Sequence, residues 1–236
     1  MVDRARVFGE RPEAVERIAP GFFPAPFERE HVARYKWACR WIAGRVVLDV
    51  ACGTGYGAAI LRAAGARRVV SLDVSRDALR FGASRYALLP VGSDAHQLPV
   101  RTASCDAVVS LETIEHLRDP GAFAKELCRI LRPGGELLLS TPNARRSLGT
   151  NPYHLNELAL DELRLLLSRT GFRIRGIWGQ HWGLPPGVWH KIKGLRRVLY
   201  EIERINTVTS WIGPGLRPRY WCLRTVKVER SRGESD

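Results

Sequence analysis

Residues 46–57 read Val-Val-Leu-Asp-Val-Ala-Cys-Gly-Thr-Gly-Tyr-Gly. The apolar residues at 46–48 suit a strand buried in a parallel sheet. Asp49 follows them, and then glycines at 53, 55 and 57, where the backbone can turn tightly and approach a ligand with no side chain in the way. The next residues can open a helix, whose amino end favours a negative group. A strand, glycine turn and helix in that order bind a nucleotide-like molecule. The stretch lacks Gly-Lys-Ser/Thr, so it is not a P-loop. Gly53-Thr54-Gly55 is followed by Tyr56 and Gly57, so the dinucleotide fingerprint G-x-G-x-x-G fails as well.

Strand-like and helix-like stretches alternate outward from this turn, the mark of an α/β doubly wound, Rossmann-like sheet. Strands are expected at 46–51, 68–73, 87–92, 106–111, 136–141, 172–179 and 220–229. Helices are expected at 57–64, at 76–85 with Ser75 as cap, at 120–131 with Arg132-Pro133-Gly134-Gly135 as the stop, and at 157–169. At 236 residues the chain reads as one domain. Residues 1–44 are expected to form a helical cap, with apolar or aromatic side chains at 32, 35, 38, 41 and 42. Residues 45–180 would be the ligand-binding core, 181–218 an insertion and 219–230 the last strand.

Hydrophobic residues make up 45% of the chain and charged ones 26%, an ordinary balance for a globular protein. The cysteines, at 39, 52, 105, 128 and 222, are odd in number and form no Cys-x-x-Cys, which argues against a disulfide framework or a zinc site. No apolar run approaches the roughly 20 residues of a membrane span, and the first residues lack an apolar signal core. A cytoplasmic protein is expected, with peripheral membrane contact as an addition. Net charge is +13, and residues 172–232 hold 13 Lys/Arg against three acids. That bias suggests an anionic partner at the carboxy-terminal region, such as phosphate, a membrane surface or nucleic acid. The plainer account is a solvated arginine-rich face, since 32 of the 37 basic residues are Arg.

The pattern Asp49-x-Ala51-x-Gly53-x-Gly55 resembles the first motif of class I S-adenosylmethionine-dependent methyltransferases. The usual form there is Asp/Glu-x-Gly-x-Gly-x-Gly, so Ala51 stands at the first glycine position. The resemblance covers residues 29–172. It implies a seven-stranded sheet of order 3-2-1-4-5-7-6 with strand seven antiparallel, and S-adenosyl-L-methionine as cofactor. Asp73, closing the second strand, would accept hydrogen bonds from the ribose diol. Asp94 and Ala95 would meet the adenine, and Asp49 would order the glycine turn and meet the amino-acid end. Gly53, Gly55, Ala51, Tyr56, Val74, Leu111 and Glu112 complete the implied cofactor set.

Acceptor choice rests on Cys105–Leu117. The Asn/Asp/Ser-Pro-Pro-Tyr/Phe motif of adenine and glutamine N-methylation is absent, as is the Pro-Cys nucleophile of cytosine C5 enzymes. Glu112-Thr-Ile-Glu115-His116, with Leu131–Asn143 and Asn151–Glu157, is similar to bacterial enzymes that methylate small molecules, sugars and quinone precursors. His116 is the first candidate for general base, since a free imidazole titrates near neutrality, and His154 is the second. The plainer role for His116 is to pack or cap the next helix. Glu112, Glu115 and His116, with His154, also resemble the Mg²⁺ or Mn²⁺ site of small-RNA 3′-terminal 2′-O-methyltransferases. Glu-x-x-Glu-His is common in the wider family, so no metal ligand is expected here.

In the insertion a basic amphipathic helix is expected at about 187–206, among tryptophans 178, 182, 189, 211 and 221. It could be a lid with aromatic walls, a contact with an anionic membrane or lipid-linked glycan, or a packed helix with a solvated face. The expected activity is O-methylation of a small molecule or a sugar or glycan precursor, by in-line transfer. The alternatives are a metal-assisted RNA ribose 2′-O-methyltransferase and a non-catalytic cofactor-fold binding protein.

Overall fold

The strand that carries the glycine turn, β1 (Val46–Val50), lies inside one sheet of eight strands in the computed structural model. Residues 25–147, 149, 151–180, 208–209 and 218–228 are described. Around β1 stand β2 (Arg68–Asp73), β3 (Pro90–Gly92), β4 (Cys105–Leu111), β5 (Leu131–Pro142), β6 (Phe172–Gln180), β7 (Val208–Thr209) and β8 (Tyr220–Lys227). Their order is β3-β2-β1-β4-β5-β8-β6-β7. The first five pair in parallel, and β8 runs antiparallel to both β5 and β6. This is the expected seven-stranded order, with β8 as the antiparallel strand. The addition is β7, two residues pairing with Gly179 and Gln180 at the sheet edge.

Alternation along the strands divides the core into two layers. Val47, Val69, Ala107, Val109, Leu138 and Cys222 face one cluster, with Tyr35, Trp37 and Ala38 of α1 (Ala25–Ala38) and Ala58 and Leu61 of α2 (Tyr56–Ala63). Leu48, Val50, Val108, Leu137, Leu139 and Leu223 face the other, with Phe123, Leu127 and Ile130 of α4 (Pro120–Ile130) and Leu163 and Leu167 of α5 (Leu160–Arg169). Each buried Val, Leu, Ile or Phe side chain among these contributes roughly 2 kcal/mol through removal from water. Between β2 and β3 runs α3 (Arg76–Tyr86), whose cap is Ser75 as expected: its Oγ accepts from the Ala78 amide at 3.3 Å.

The starts of three elements differ from expectation: β3, which begins at Pro90 and not at 87, β5 and α5. β5 begins at Leu131, where α4 ends, because Leu131 pairs with Cys105 before the strand resumes opposite Ala107 at Glu136. Arg132-Pro133-Gly134-Gly135 bulges out between those pairs, with Gly134 at φ 72°, and a bulge is where a sheet tolerates proline. The helix expected from 157 starts at Leu160. Glu162 Oε2 accepts from the Ala159 amide at 2.7 Å and sets that start, while Glu157 is engaged by His154 in the preceding loop.

Trp178 packs edge-on to Trp37 and against Trp41, with centroids 5.5 and 5.3 Å apart, and Trp221 is buried in the core. Neither lines the cavity described below, so these two tryptophans are packing residues and not walls of an acceptor site. The helix expected at 187–206 and tryptophans 182, 189 and 211 lie outside the described residues. Among the described residues, no helix is long and apolar enough to cross a membrane.

Candidate functional site

The turn after β1 winds through the left-handed region: Ala51 has φ 59°, Gly53 φ 56° and Gly55 φ 78°. Glycine adopts this freely, whereas alanine pays about 1 kcal/mol, so Ala51 departs from the family pattern at an energetic cost. Gly55 is needed for close packing too, since a Cβ there would sit 2.2 Å from Leu88 Cδ1. At Gly53 an added Cβ would meet nothing within 4 Å. Gly55 therefore faces the protein and Gly53 faces open space.

Asp73 closes β2 at 5% exposure. Its Oδ2 accepts from the Gly53 amide and its Oδ1 from the Ser75 amide, both at 2.8 Å. It thereby fastens the glycine turn to the neighbouring strand. An ionised carboxylate has about four acceptor positions, so a carboxylate with these two bonds can also accept from a diol. Asp94 is exposed in the turn after β3. The His96 amide and then the His96 ring, at 2.8 and 2.9 Å, hold its carboxyl below the usual range.

Asp49 is fully buried, and the Tyr35 hydroxyl reaches it from α1 at 3.1 Å to Oδ1 and 3.3 Å to Oδ2. Burial pushes its pKa up to about 7; the Tyr35 bond opposes this and the Asp73 charge adds to it.

These groups surround a cavity of about 880 Å³ at the carboxyl ends of the parallel strands, the place where open α/β sheets bind ligands. Ala51, Gly53, Tyr56, Asp73, Val74, Asp94 and Ala95 line it from the ends of β1, β2 and β3. Leu111, Glu112, His116 and His154 line it from the end of β4 and the loop at 151–155. Of the expected cofactor set, Asp49 and Gly55 do not line it: Asp49 lies behind Tyr35, and Gly55 packs on Leu88. Tyr35, Leu98, Thr113, Glu115, Tyr153 and Tyr220 line it and were not in the expected set. Thr113 and Glu115 follow Glu112 directly, and Glu115 belongs to the motif at 112–116; the others come from distant elements, and of these only Tyr35 is hinted at, by the apolar spacing of residues 32–42.

At the β4 end, Glu112 is a non-glycine residue at φ 54°. Its Oε1 accepts from Ser140 Oγ at 2.7 Å and stands 3.9 Å from Arg34 Nε. Arg34 is itself wholly buried, donates to Gln180 Oε1 at 2.6 Å and lies 4.5 Å over the Tyr220 ring.

The 3₁₀ turn Ile114–His116 follows. Glu115 is fully buried, and burial, reinforced by the Glu112 charge, raises its pKa well above the ordinary range. Its Oε2 accepts from Thr141 Oγ1 at 3.1 Å, whereas Oε1 is buried with no hydrogen-bond partner. The Glu115 carbonyl accepts the amides of Leu155 and Asn156 at 2.8 and 2.9 Å, which brings the loop bearing His154 to the β4 end. His116 Nδ1 contacts the Tyr153 carbonyl at 3.0 Å. A carbonyl only accepts, so Nδ1 carries the proton and Nε2 is the basic nitrogen. His154 Nδ1 contacts Glu157 Oε1. The two imidazoles meet edge to face, 5.0 Å between centroids. One ligand atom each of Glu115, His116 and His154 lies within 4.8 Å of the others. Glu112 is outside that group, turned to Ser140 and Arg34.

The cavity is large enough for a nucleoside-sized ligand, and a turn without side chains beside a buried carboxylate fits a ribose. The family model described as "Methyltransferase domain" matches residues 48–139. A protein named "Probable S-adenosylmethionine-dependent methyltransferase" from Mycolicibacterium smegmatis is 38% identical over 171 residues, covering 70% of this chain and 66% of that one. A similarly named protein of Mycobacterium tuberculosis is 40% identical over 152 residues, covering 62% of this chain and 55% of that one. The chain thus spans between about half and two thirds of the length of these relatives. In fold it is similar to a solved SAM-dependent methyltransferase from Archaeoglobus fulgidus, with TM-score 0.61 and 19% identity over 86% of this chain and 95% of that one. Sheet order, domain match and relatives agree that the chain belongs to the class I S-adenosylmethionine-dependent methyltransferase family.

Proposed function

We propose that this protein transfers the methyl group of S-adenosylmethionine to an oxygen of a small-molecule or sugar-containing acceptor. One observation carries the reading: a single cavity joins a nucleoside-binding end, at Gly53, Asp73, Asp94 and Ala95, to a second end walled by His116 and His154. In this reading Asp73 accepts from the ribose hydroxyls and Ala95 with Asp94 meets the adenine. Val74, 69% exposed beside Asp73 although apolar, covers the base. Tyr35 and Asp49 stand where the amino-acid end would lie, and Asp49 supplies negative charge once it ionises.

When bound, S-adenosylmethionine supplies an electrophilic methyl group on a sulfonium, so the protein need not activate it covalently. The chain's part is to hold a nucleophilic oxygen in line with that carbon and to manage its proton. His116 is proposed as the proton acceptor, because its Nδ1 is held by the Tyr153 carbonyl, which directs basicity to Nε2. His154, edge-on to it and held by Glu157, is proposed as its partner. The basic balance of residues 172–232 favours an acceptor carrying negative charge, such as a sugar nucleotide.

Calorimetry with S-adenosylmethionine and its demethylated product tests the first half. Micromolar binding is expected, and absence of binding to either removes the reading. A methyl-transfer screen over sugar nucleotides, lipid-linked glycans, phenols and short RNAs tests the second, and transfer confined to RNA would replace the proposed acceptor class.

A further inference from the structure

The acceptor end of the cavity has a wall that the two imidazoles do not account for. Among the described residues the exposed large hydrophobic side chains are Val74, Leu89, Leu155, Leu165 and Val228. Of these, Val74 and Leu155 line the cavity. Val74 stands at the nucleoside-binding end, where a base would cover it. Leu155, 54% exposed, stands at the imidazole end, next in sequence to His154. A lone exposed leucine is ordinary on a protein surface. Here Pro152, also exposed, and Leu117, half-buried, line the same end. Clustered apolar side chains beside a few polar groups are what the apolar part of a ligand buries. The wall is also fixed relative to the proton acceptor. The Leu155 amide is held on the Glu115 carbonyl at 2.8 Å, and Asn156 Nδ2 donates to the Leu117 carbonyl at 2.6 Å. The Tyr153 carbonyl holds His116 Nδ1 at 3.0 Å. Leu117, Leu155 and His116 Nε2 therefore keep one spacing, and an apolar group can use the wall only if it lies close to the oxygen that His116 deprotonates.

We infer that the acceptor carries an apolar group beside the hydroxyl that is methylated, and that Leu155, with Leu117 and Pro152, is the wall that selects it. The role of that hydroxyl rests on the methyl-transfer reading; the affinity of the wall for an apolar group does not. An alkyl or acyl substituent on a sugar ring has this character, and so does the ring of a phenol. A hydroxyl surrounded only by other hydroxyls would give up water against this wall with no hydrogen bond in return, which is costly. Among the described residues no arginine or lysine lines the cavity, so the negative charge of such an acceptor lies outside it, beyond the apolar group. Leu155 is thus a specificity-determining residue: it leaves the proton transfer to His116 and decides which hydroxyl His116 meets.

The test is calorimetric titration of two homologous series, alkyl β-glucosides and 2-alkylphenols from methyl to hexyl, into the full chain, alone and saturated with the demethylated cofactor product. At least one series is expected to bind as one equivalent and to tighten about two- to fourfold with each added methylene; the series that does so tells a sugar acceptor from a phenol. Leu155→Ser should flatten that dependence. Leu155→Met, which keeps volume and apolar character, should retain it, and so should Leu165→Ser, a change at a leucine of similar exposure that does not line the cavity. All three variants should bind the demethylated product like the parent, which controls for folding. If neither series tightens with chain length, or if the dependence survives in Leu155→Ser, the inference is overturned. That result, with the demethylated product still bound, leaves the methyl-transfer reading standing. Chain-length dependence in a protein that binds neither S-adenosylmethionine nor its product supports the wall and removes that reading instead.

Discussion

Replacing Asp49 with asparagine removes a carboxyl group that is wholly buried and bonded by the Tyr35 hydroxyl. Its pKa in the folded protein is about 7, against 3.8 for the exposed group. The sign follows from proton counting. Between those two values the folded chain keeps a proton that the unfolded chain has released, so stability is greatest below the unfolded pKa and declines as pH rises towards the folded one. One pKa unit is worth about 1.4 kcal/mol. From pH 5 to pH 8 about two units of the gap are crossed, so Asp49 withdraws about 3 kcal/mol of stability over that interval. The asparagine side chain can still accept from Tyr35 and has nothing to ionise. The difference in unfolding free energy between variant and parent should therefore move by about 3 kcal/mol in favour of the variant across the same range. Urea titrations at pH 5, 6, 7 and 8, read by tryptophan fluorescence, measure this directly. A difference that stays flat with pH, or moves the other way, refutes the argument, because it would mean that burial does not hold Asp49 protonated. The same carboxyl links to ligand binding. A cationic ligand favours the ionised form, so affinity for S-adenosylmethionine should rise with pH up to about 7 in the parent and lose that dependence in Asp49→Asn.

Asp73→Ala should weaken cofactor binding by about 100-fold or more in calorimetry, since hydrogen bonds to a charged group are worth roughly 1.5–3 kcal/mol each; unchanged affinity would remove the ribose assignment. Ala51→Gly should raise stability by up to about 1 kcal/mol in urea unfolding by relieving the positive φ, less what glycine gains in the unfolded chain. Gly57→Ala places a methyl group 2.0 Å from Tyr35 Cζ. It should cost roughly 1–3 kcal/mol by overpacking, seen as a lowered Tm, and should disturb the bond to Asp49.

What could be read from the chain was what the chain holds close together. Asp49, Ala51, Gly53 and Asp73 belong to two consecutive strand ends, and strand periodicity with glycine spacing is enough to locate them. The depth of Asp49 was not legible, because Tyr35 covers it from a helix that no local rule ties to β1. Glu115 was visible as a motif residue, but its orphaned oxygen depends on Thr141 satisfying only the other one. α5 starts three residues after the expected position 157, because Glu157 lies in the preceding loop. Its carboxylate is engaged by His154, and the cap interaction falls to Glu162. An aromatic acceptor wall is one of three readings the tryptophans allow, yet Trp178 packs against the core and Trp221 lies within it, since amphipathic spacing does not say which neighbour an aromatic ring will find.

The loop that carries His154 is held to the β4 end by the amides of Leu155 and Asn156 on the Glu115 carbonyl, by Asn156 Nδ2 on the Leu117 carbonyl at 2.6 Å and by the contact of His116 Nδ1 with the Tyr153 carbonyl. The nucleoside-binding end is instead fastened through Asp73 to two strand ends. The molecule is therefore modular in an engineering sense. Residues 151–156 can be varied around a fixed His154, provided that position 156 remains Asn and the two backbone amides keep their register on residue 115. New acceptor preferences can then be grafted onto a donor-binding half that need not be redesigned.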